Sequence, residues 1–445
     1  MTLLCSEVSM LQKCSILCLF LSLFILFPLS AEPADTAVVR RMLAAVSDSN
    51  LASHITTLGE AGGYYNRISF TPGNTVAVNY IGGRMRSLPG LAVVNDTFYV
   101  STYPPPYNGM PLVNILGTIR GSMAPEKYVI VGAHLDCSAS RMDSSVWKNT
   151  WQTIRTLGAD DNASGVAAVL ECARILTDTS FHYKPDYSIV LAAWGNEEGI
   201  PVTGGSPGSA HFANDALASG KQIVGVINID MIGYNPLKIY ADIFSNPASQ
   251  WIGQASLAVN AKYGLGITTN QMPFVNAGYS DHVSFWTAGY PAIMIIEHAF
   301  PWTSDDNYTA SPYYHRSSDT LGTLNPSLLK ALTALSLGTL ISMAEKTAAA
   351  VATSMPGPND FVLEQNYPNP FNPATQFRFS LRNTAHIRLT VHDVLGRITA
   401  RPVDQTAEAG THQVGWNASA IPAGVYFYTL TDGKNAVTRK LVIEK

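Results

Sequence analysis

"KYVIVGAHLD", residues 127–136, is an almost unbroken apolar run that ends abruptly in a histidine and an aspartate. A strand that is apolar on both sides is covered on both sides, as in a parallel sheet held between layers of helices. Three more runs share this character: "YSIVLAAWG" (187–195), "QIVGVINID" (222–230) and "YPAIMIIEH" (290–298). Helical stretches such as "ASGVAAVLECARIL" (163–176) and "ASQWIGQASLAVNAKYG" (248–264) lie between them. The alternation predicts an α/β fold, a mostly parallel sheet sandwiched by helices.

The ends of these runs carry the chemistry. His134 and Asp136 follow "VIVGA", Glu197 and Glu198 follow "LAAWGN", and Asp230 follows "VINI". In an open α/β sheet, sites form at the carboxyl ends of the strands. Just before a predicted helix, "GADDNASG" (158–165) sets Asp160 beside Asp161. Adjacent carboxylates repel each other unless a cation offsets them, and zinc is bound by His, Asp and Glu side chains. His134 and Asp136 are two apart on an extended chain, so both face the same way. The imidazole can then bind metal while the carboxylate holds its other nitrogen. Glu197 and Glu198 are neighbours and point differently, so one can bind metal while the other serves as a base. Their chemistry alone does not decide which. Asp161 has two oxygens and can bridge two ions. The small residues Ala163, Ser164 and Gly165 let the backbone approach closely there. Asp160 reads as a helix-start carboxylate favoured by the helix dipole.

A balanced two-metal site needs a second histidine. His315, in "SPYYHRSSDTL" (311–321), is the candidate, and His282 is its rival, although the "SDH" setting of His282 reads as structural. Tyr314 is placed either to donate to the oxyanion of a tetrahedral intermediate or to pack as an aromatic. His298, at a strand end, is expected to line the pocket.

"GAHLD", "GADDNASG", "NEE", "NIDMIGY", "YYHRSSDTL" and "SDHVSFWTAGYPA" resemble, in content and order, metallopeptidase family 28, the secreted zinc aminopeptidases of bacteria. The resemblance covers roughly residues 36–345. It implies two zinc ions, one held by His134 and Asp230, the other by Glu198 and His315, with Asp161 bridging. It further implies Glu197 as general base, Asp136 as the orienting residue, and a cis peptide at Asp161–Asn162. The activity implied is removal of N-terminal, hydrophobic residues from peptides. A one-metal glutaminyl-peptide cyclotransferase on a related scaffold is the alternative, and a non-catalytic peptide-binding relative is a third class. "DDNASG" and the full ligand set favour the peptidase, and the intact Glu197 argues against a binder. Three long loops depart from the family pattern and are expected at the site rim: residues 137–157 with Trp147 and Trp151, "GIPVTGGSPGSAHFA" (199–213) and "FPWTSDDNYTASP" (300–312). Phe285, Trp286, Ile296 and Phe300 are the candidates for an apolar substrate pocket and read equally as core.

At 445 residues the chain exceeds one ordinary domain, and its 47% hydrophobic content supports a core. A net charge of −4 offers no electrostatic reason to expect nucleic acid as a partner. Lys13 precedes "CSILCLFLSLFILFPLSA" (14–31), an apolar run ending in small residues. It reads as a signal peptide cleaved near Ser30 or Ala31. No stable membrane span is expected once it is removed. Cys5, Cys14 and Cys18 leave with it, so Cys137, on a loop at a strand end, and Cys172, on a helix, are expected as free thiols. Periodicity fades over 345–360, and short alternating strands follow. There "LEQNYPNPFNPAT", "VHDVLGR", "AGTHQVGWNA" and "AGVYFYTL" resemble the sorting domain of type IX secretion cargo. That resemblance implies the type IX secretion machinery as a partner and a secreted or cell-surface location reached through the periplasm. The expected organisation is a signal peptide over 1–31, a zinc peptidase domain over 32–349, a linker over 350–361 and a β-sandwich over 362–445.

Overall fold

The computed structural model describes residues 36–200, 205–273, 279–298, 303–345 and, in the C-terminal part, 361–444 apart from 364, 367, 382–383, 394–396, 409 and 434–435. The expected signal peptide and nearly all of the expected linker lie outside the described residues, as does Phe300.

Eight strands form one sheet: β1 (Ala92–Phe98), β2 (Leu112–Ile119), β3 (Ala124–His134), β4 (Tyr187–Trp194), β5 (Gln222–Ile229), β6 (Tyr240–Ser245), β7 (Thr268–Pro273) and β8 (Ala292–Ile296). Their spatial order is β1-β2-β4-β3-β5-β8-β6-β7. The centre, β4-β3-β5-β8, is parallel throughout. It is built from the four apolar runs picked out in the sequence. The flanks reverse direction: β1 and β2 pair antiparallel, β2 runs antiparallel to β4, and β6 runs antiparallel to β8. The flanking strands mix polar residues among the apolar ones, which is why no such run announces them.

The helices are α1 (Thr36–Ala44), α2 (Asp48–Glu60), α3 (Pro72–Arg86), α4 (Ser144–Thr150), α5 (Gly165–Thr177), α6 (Pro207–Ala218), α7 (Gln250–Tyr263), α8 (His282–Thr287) and α9 (Pro326–Met343). Strand residues alternate between two cores, as a period of two requires. Val129, Val131 and Ala133 of β3, with Ile189 and Leu191 of β4, face the larger core beside α1, α2, α3, α5, α7 and α9. Ile130, Val190 and Trp194 face the other way, onto Phe212 and Phe285 of α6 and α8. Helix α9 is apolar nearly all round and buried in the larger core, as expected of a helix enclosed by its neighbours. Phe285 is fully buried against Trp194, and Ile296 packs with Met231, Phe244 and Met294. These two residues are therefore core, the second of the two readings open for them, and do not line a pocket.

Cys137 and Cys172 are buried free thiols, as expected. Burial pushes the Cys137 thiol up to about 12 and holds it in the uncharged form.

The C-terminal part is an antiparallel sandwich of β9 (Phe361–Leu363), β10 (Ala374–Leu381), β11 (Ala385–His392), β12 (Ile398–Ala407), β13 (Gly410–Asn417), β14 (Gly424–Thr431) and β15 (Ala436–Ile443). One sheet is ordered β13-β10-β9 and the other β12-β11-β14-β15. Phe377 and Tyr428, with ring centroids 4.7 Å apart, join the two across the core. Its buried residues, from Phe361 to Ile443, form a cluster separate from those of the α/β part. A chain ending at residue 353 is therefore expected to unfold in one cooperative transition, within a few degrees of the α/β transition of the full chain in calorimetry. Aggregation or loss of that transition on truncation would show that the sandwich completes the larger fold.

Candidate metal centre

The sheet's parallel centre ends where the acids and histidines gather. His134 closes β3, Asp230 follows β5, Glu197 and Glu198 follow β4, and Asp161 sits in the turn leading into α5. His315 arrives on a separate loop. All five expected metal-binding side chains meet in one place, and their donor atoms fall into sets lying within 4.8 Å of one another. His134 Nε2 lies 3.1 Å from Asp161 Oδ1 and 3.4 Å from Asp230 Oδ1. His315 Nε2 lies 3.0 Å from the other oxygen of Asp161 and 3.1 Å from Glu198 Oε2. A third set joins His134 with Glu197 and Glu198.

These distances suit a metal. Donors about 2.1 Å from a tetrahedral zinc lie about 3.4 Å apart. Charge points the same way. Asp161 and Asp230 are buried, and no Lys or Arg is among the groups whose charge acts most on Asp161 or on the two glutamates. Glu198 Oε1 is buried with no hydrogen-bond partner among the described residues. An uncompensated buried carboxylate is costly, so the donor set fits a cation held among these groups. The arrangement can hold two ions, one in His134–Asp161–Asp230 and one in Asp161–Glu198–His315, each keeping an open position.

The titrations follow from the crowding. Burial pushes the Glu197 carboxyl well above its ordinary range; His134 draws it back, and Glu198, Asp230 and Asp281 add to the rise. Burial also raises Glu198, although the imidazole of His315 opposes it. Burial works against a charged His315, yet Glu198 and Asp161 raise its pKa to about 10. Asp161 moves opposite to the two glutamates: burial would raise it, but hydrogen bonds from His134 and His315 hold it well below the usual range.

A second tier of contacts holds these groups. Asp136 lies 3.5 Å from His134 Nδ1, where the two-residue spacing was expected to put it. Its oxygens also accept the backbone N–H groups of Glu197 (3.0 Å) and Glu198 (3.3 Å), so one carboxylate positions both ends of the site. Asn162 donates to the carbonyl of Ile229 and accepts from Gly165 N–H, which ties the turn to the end of β5. The Asp161–Asn162 peptide is cis. Gly165 has no room for a side chain: a Cβ there would lie 2.4 Å from Asn162 Oδ1 and 2.8 Å from the carbonyl of Ile229.

Asp160 differs from its expected part at the helix start. Helix α5 begins only at Gly165, and Asp160 is buried, accepting from Gly233 N–H at 2.8 Å and sharing a hydrogen bond with Glu297. It braces the loop that carries Asp230. Asp319 accepts the N–H groups of both Asp160 and Asp161. Neither Glu297 nor Asp319 was singled out in the sequence. Glu297 was legible in principle, as an acid ending an apolar strand, and Asp319 stands four residues after His315. Asp281 is a further buried carboxylate beside the site, raised to about 7 by burial, with His134 drawing it down and Asp230 and Asp136 pushing it up. Arg67, fully buried, had no signal at all: it donates to the carbonyls of Leu135 (2.9 Å), Gly158 (2.6 Å) and Leu157 and so clamps the two chain segments that deliver His134 and Asp161.

Above the metal-type residues opens a cleft of about 1020 Å³. Tyr314 lines it, its ring stacked on His315 at a centroid distance of 3.9 Å. Of the three expected rim loops, the first two reach the cleft, through residues such as Arg141, Trp147, Trp151 and Ser206. The described residues of the third do not: Tyr308 is buried and bonds to Glu297. His298 does not line the cleft either, and instead bonds to Asp305 and stacks on Tyr308. His282 is buried against Trp286 and belongs to none of the donor sets. The apolar lining comes from Met231, Val283, Ile200 and Tyr279 in place of Phe285, Trp286 and Ile296.

The profile of peptidase family M28 matches residues 114–340, and that of the secretion system C-terminal sorting domain matches residues 365–444. Leucine aminopeptidase 1 of Trichophyton equinum is 28% identical over 315 residues, covering 68% of this chain and 74% of that protein. The crystal structure of LapA aminopeptidase of Legionella pneumophila superposes with a TM-score of 0.54 at 19% identity, covering 69% of this chain and 75% of that one. A glutaminyl cyclase of Porphyromonas gingivalis superposes at 0.51, also with 19% identity, covering 66% of this chain and 97% of that one. At such identity these structures show a shared fold.

Replacing the Arg67 clamp tests how far the site depends on it. Arg67→Met leaves buried carbonyls without donors, and we expect a loss of about 3 kcal/mol or more in denaturant unfolding. Metal content should fall in the same variant. Unfolding at the wild-type midpoint with full metal content would show that Arg67 is dispensable to the site.

Proposed function

This chain belongs to peptidase family M28, and we propose that it is a two-zinc aminopeptidase acting on peptides with a free, hydrophobic N-terminal residue. Its sorting domain marks it for secretion or the cell surface and implies engagement with the secretion machinery. The observation that carries the proposal is Asp161, whose two oxygens each face a different histidine in a different donor set.

In this reading His134, Asp161 and Asp230 hold one zinc ion, and Asp161, Glu198 and His315 hold the other. When bound, such a pair lowers the pKa of a shared water and polarises the scissile carbonyl. Glu197 takes the proton from the attacking water and later hands it to the leaving amine. Its surroundings support that part. Burial raises its proton affinity, and its Oε1 turns toward the Ser206 hydroxyl at 3.4 Å, whereas Glu198 turns toward His315. Asp136 fixes the His134 ring and both glutamate N–H groups and so serves as the positioning carboxylate. Tyr314 offers a hydroxyl on the cleft wall for the developing oxyanion. The α-ammonium of the substrate needs a buried counter-charge, which Asp230 and Glu197 supply. Met231, Val283 and Ile200 offer an apolar environment for the first side chain.

Metal analysis of the mature protein should give about two zinc ions per chain, and chelation should abolish turnover that zinc restores. A metal-free preparation with full activity would end the proposal.

Glu197→Gln should retain metal and lose most of the turnover, whereas His134→Ala should lose metal. Near wild-type turnover by Glu197→Gln would place the base elsewhere.

Acetylating the N-terminus of a peptide should slow its cleavage by at least about tenfold, because a neutral amide cannot pair with the carboxylates. Equal cleavage of blocked and free peptides would refute the exopeptidase reading. Ring closure of N-terminal glutamine without hydrolysis would assign the chain to the cyclases instead.

A further inference from the structure

The cleft is unevenly charged along its length. At its His134 end lie Asp230 and Glu197, with Asp281 buried behind them. At its His315 end, past Glu198 and Asp161, the basic side chain of Arg141 joins the lining. Arg141 and Lys148 are the basic side chains among the described cleft residues, and both come from the 137–157 loop. Arg141 is anchored to the site. Its backbone N–H donates to the carbonyl of His315 at 3.1 Å, and its guanidinium lies over the Tyr314 ring, 4.4 Å from the centroid. That ring in turn stacks on the His315 imidazole. The neighbouring Ser140 hydroxyl lies 3.0 Å from His315 Nδ1. Lys148 rides on α4, whose flanking Trp147 and Trp151 pack against Ile68, Cys137 and Ile200. The basic wall therefore stands on apolar packing next to the catalytic groups.

We propose that Arg141, assisted by Lys148, receives a carboxylate carried by the residue that follows the scissile bond. The inference rests on the aminopeptidase reading, which orients the substrate. With the α-ammonium at the Asp230 and Glu197 end, the leaving residue extends toward His315 and Tyr314. One residue of extended chain spans about 3.5 Å, so the next backbone carboxyl comes within reach of a guanidinium stacked one ring away. A guanidinium is suited to this part, because its planar fork matches a carboxylate while its face lies on an aromatic ring. A dipeptide, positive at one end and negative at the other, matches the polarity of the cleft. So does a longer peptide with an acidic second side chain. The preferred substrate class is thus a short peptide bearing negative charge just beyond the cleaved bond.

The test compares two pairs of peptides: Leu-Gly against Leu-Gly-amide, and Leu-Glu-amide against Leu-Gln-amide. Hydrolysis is measured on the zinc-loaded protein and calorimetric binding on its Glu197→Gln variant. We expect kcat/KM to favour the charged member of at least one pair by about fivefold or more, mainly through KM. In the Arg141→Ala, Lys148→Ala double variant this ratio, which cancels any general loss of activity, should fall to near one. Arg141→Lys should recover part of it. A preference in the first pair assigns the α-carboxylate of a dipeptide, and one in the second assigns an acidic side chain. Hydrolysis at equal rates within both pairs would leave the aminopeptidase reading intact and overturn the carboxylate subsite. A preference that survives in the double variant would overturn it equally. Absence of hydrolysis combined with tighter binding of the charged peptides would overturn the aminopeptidase reading and sustain the subsite.

Discussion

Two imidazole nitrogens, from His134 and His315, face opposite oxygens of one buried carboxylate, Asp161. Everything around this bridge serves to make it possible. The bridging side chain must present both oxygens at once, so its backbone has to turn sharply between a strand end and a helix start. "GADDNASG" meets that demand with two glycines and three other small residues, Ala159, Ala163 and Ser164. Gly158 takes a left-handed conformation, with φ of 51°. Gly165 admits the carbonyl of Ile229 where any side chain would collide. Left-handed backbone recurs nearby at the non-glycine positions Asn196, Met231 and His315. Such conformations are costly and persist where surrounding structure over-determines them, as it does at this site.

The bridge depends on a frame of buried polar groups, and the same frame explains the paired aspartates. Asp161 faces the donors while Asp160 faces inward, holding the Gly233 N–H and the carboxyl of Glu297. Asp319 lies behind both, accepting their N–H groups. Burial raises Asp160 and Glu297 well above the ordinary carboxylate range, so this inner pair avoids standing as two adjacent charges. The repulsion that seemed to forbid neighbouring aspartates is thus relieved differently for each. One is offset by imidazoles and fits a cation, and the other is kept from standing charged beside a partner acid because burial raises both carboxyls.

Chemistry and selectivity are carried by different parts of the chain. His134, Glu198 and Asp230 sit at the ends of the central parallel strands, which pack between the two cores, and Asp161 opens the turn into α5. The walls of the cleft come from connecting segments, chiefly 137–157, the start of α6 and the start of α8. Segments of this kind tolerate change that the strand ends do not. A peptidase centre can therefore stay constant while a basic wall such as that of Arg141 and Lys148 tunes what it accepts.

The central sheet and the acids and histidine at its strand ends were legible in the sequence because each rests on a local pattern, whereas His315 was one of two candidates. A run apolar on both faces needs no partner to reveal that it is buried, and a His, Asp or Glu at the end of such a run is marked by contrast. The spacing of His134 and Asp136 was enough to pair them, since the extended chain sets the direction of both side chains. Other features were decided only by tertiary structure. Nothing local distinguishes Arg67 as the clamp across Leu135, Leu157 and Gly158, because its partners are backbone carbonyls far along the chain. The inward turn of Asp160 depends on Gly233 and Glu297, which lie on other elements. Phe285 and Ile296 have the composition of pocket residues, but the layers of helix and sheet enclosed them in core. Apolarity says that a side chain leaves water. Whether it faces a neighbouring helix or a substrate is set by which elements close over it, and that choice is made by the whole fold.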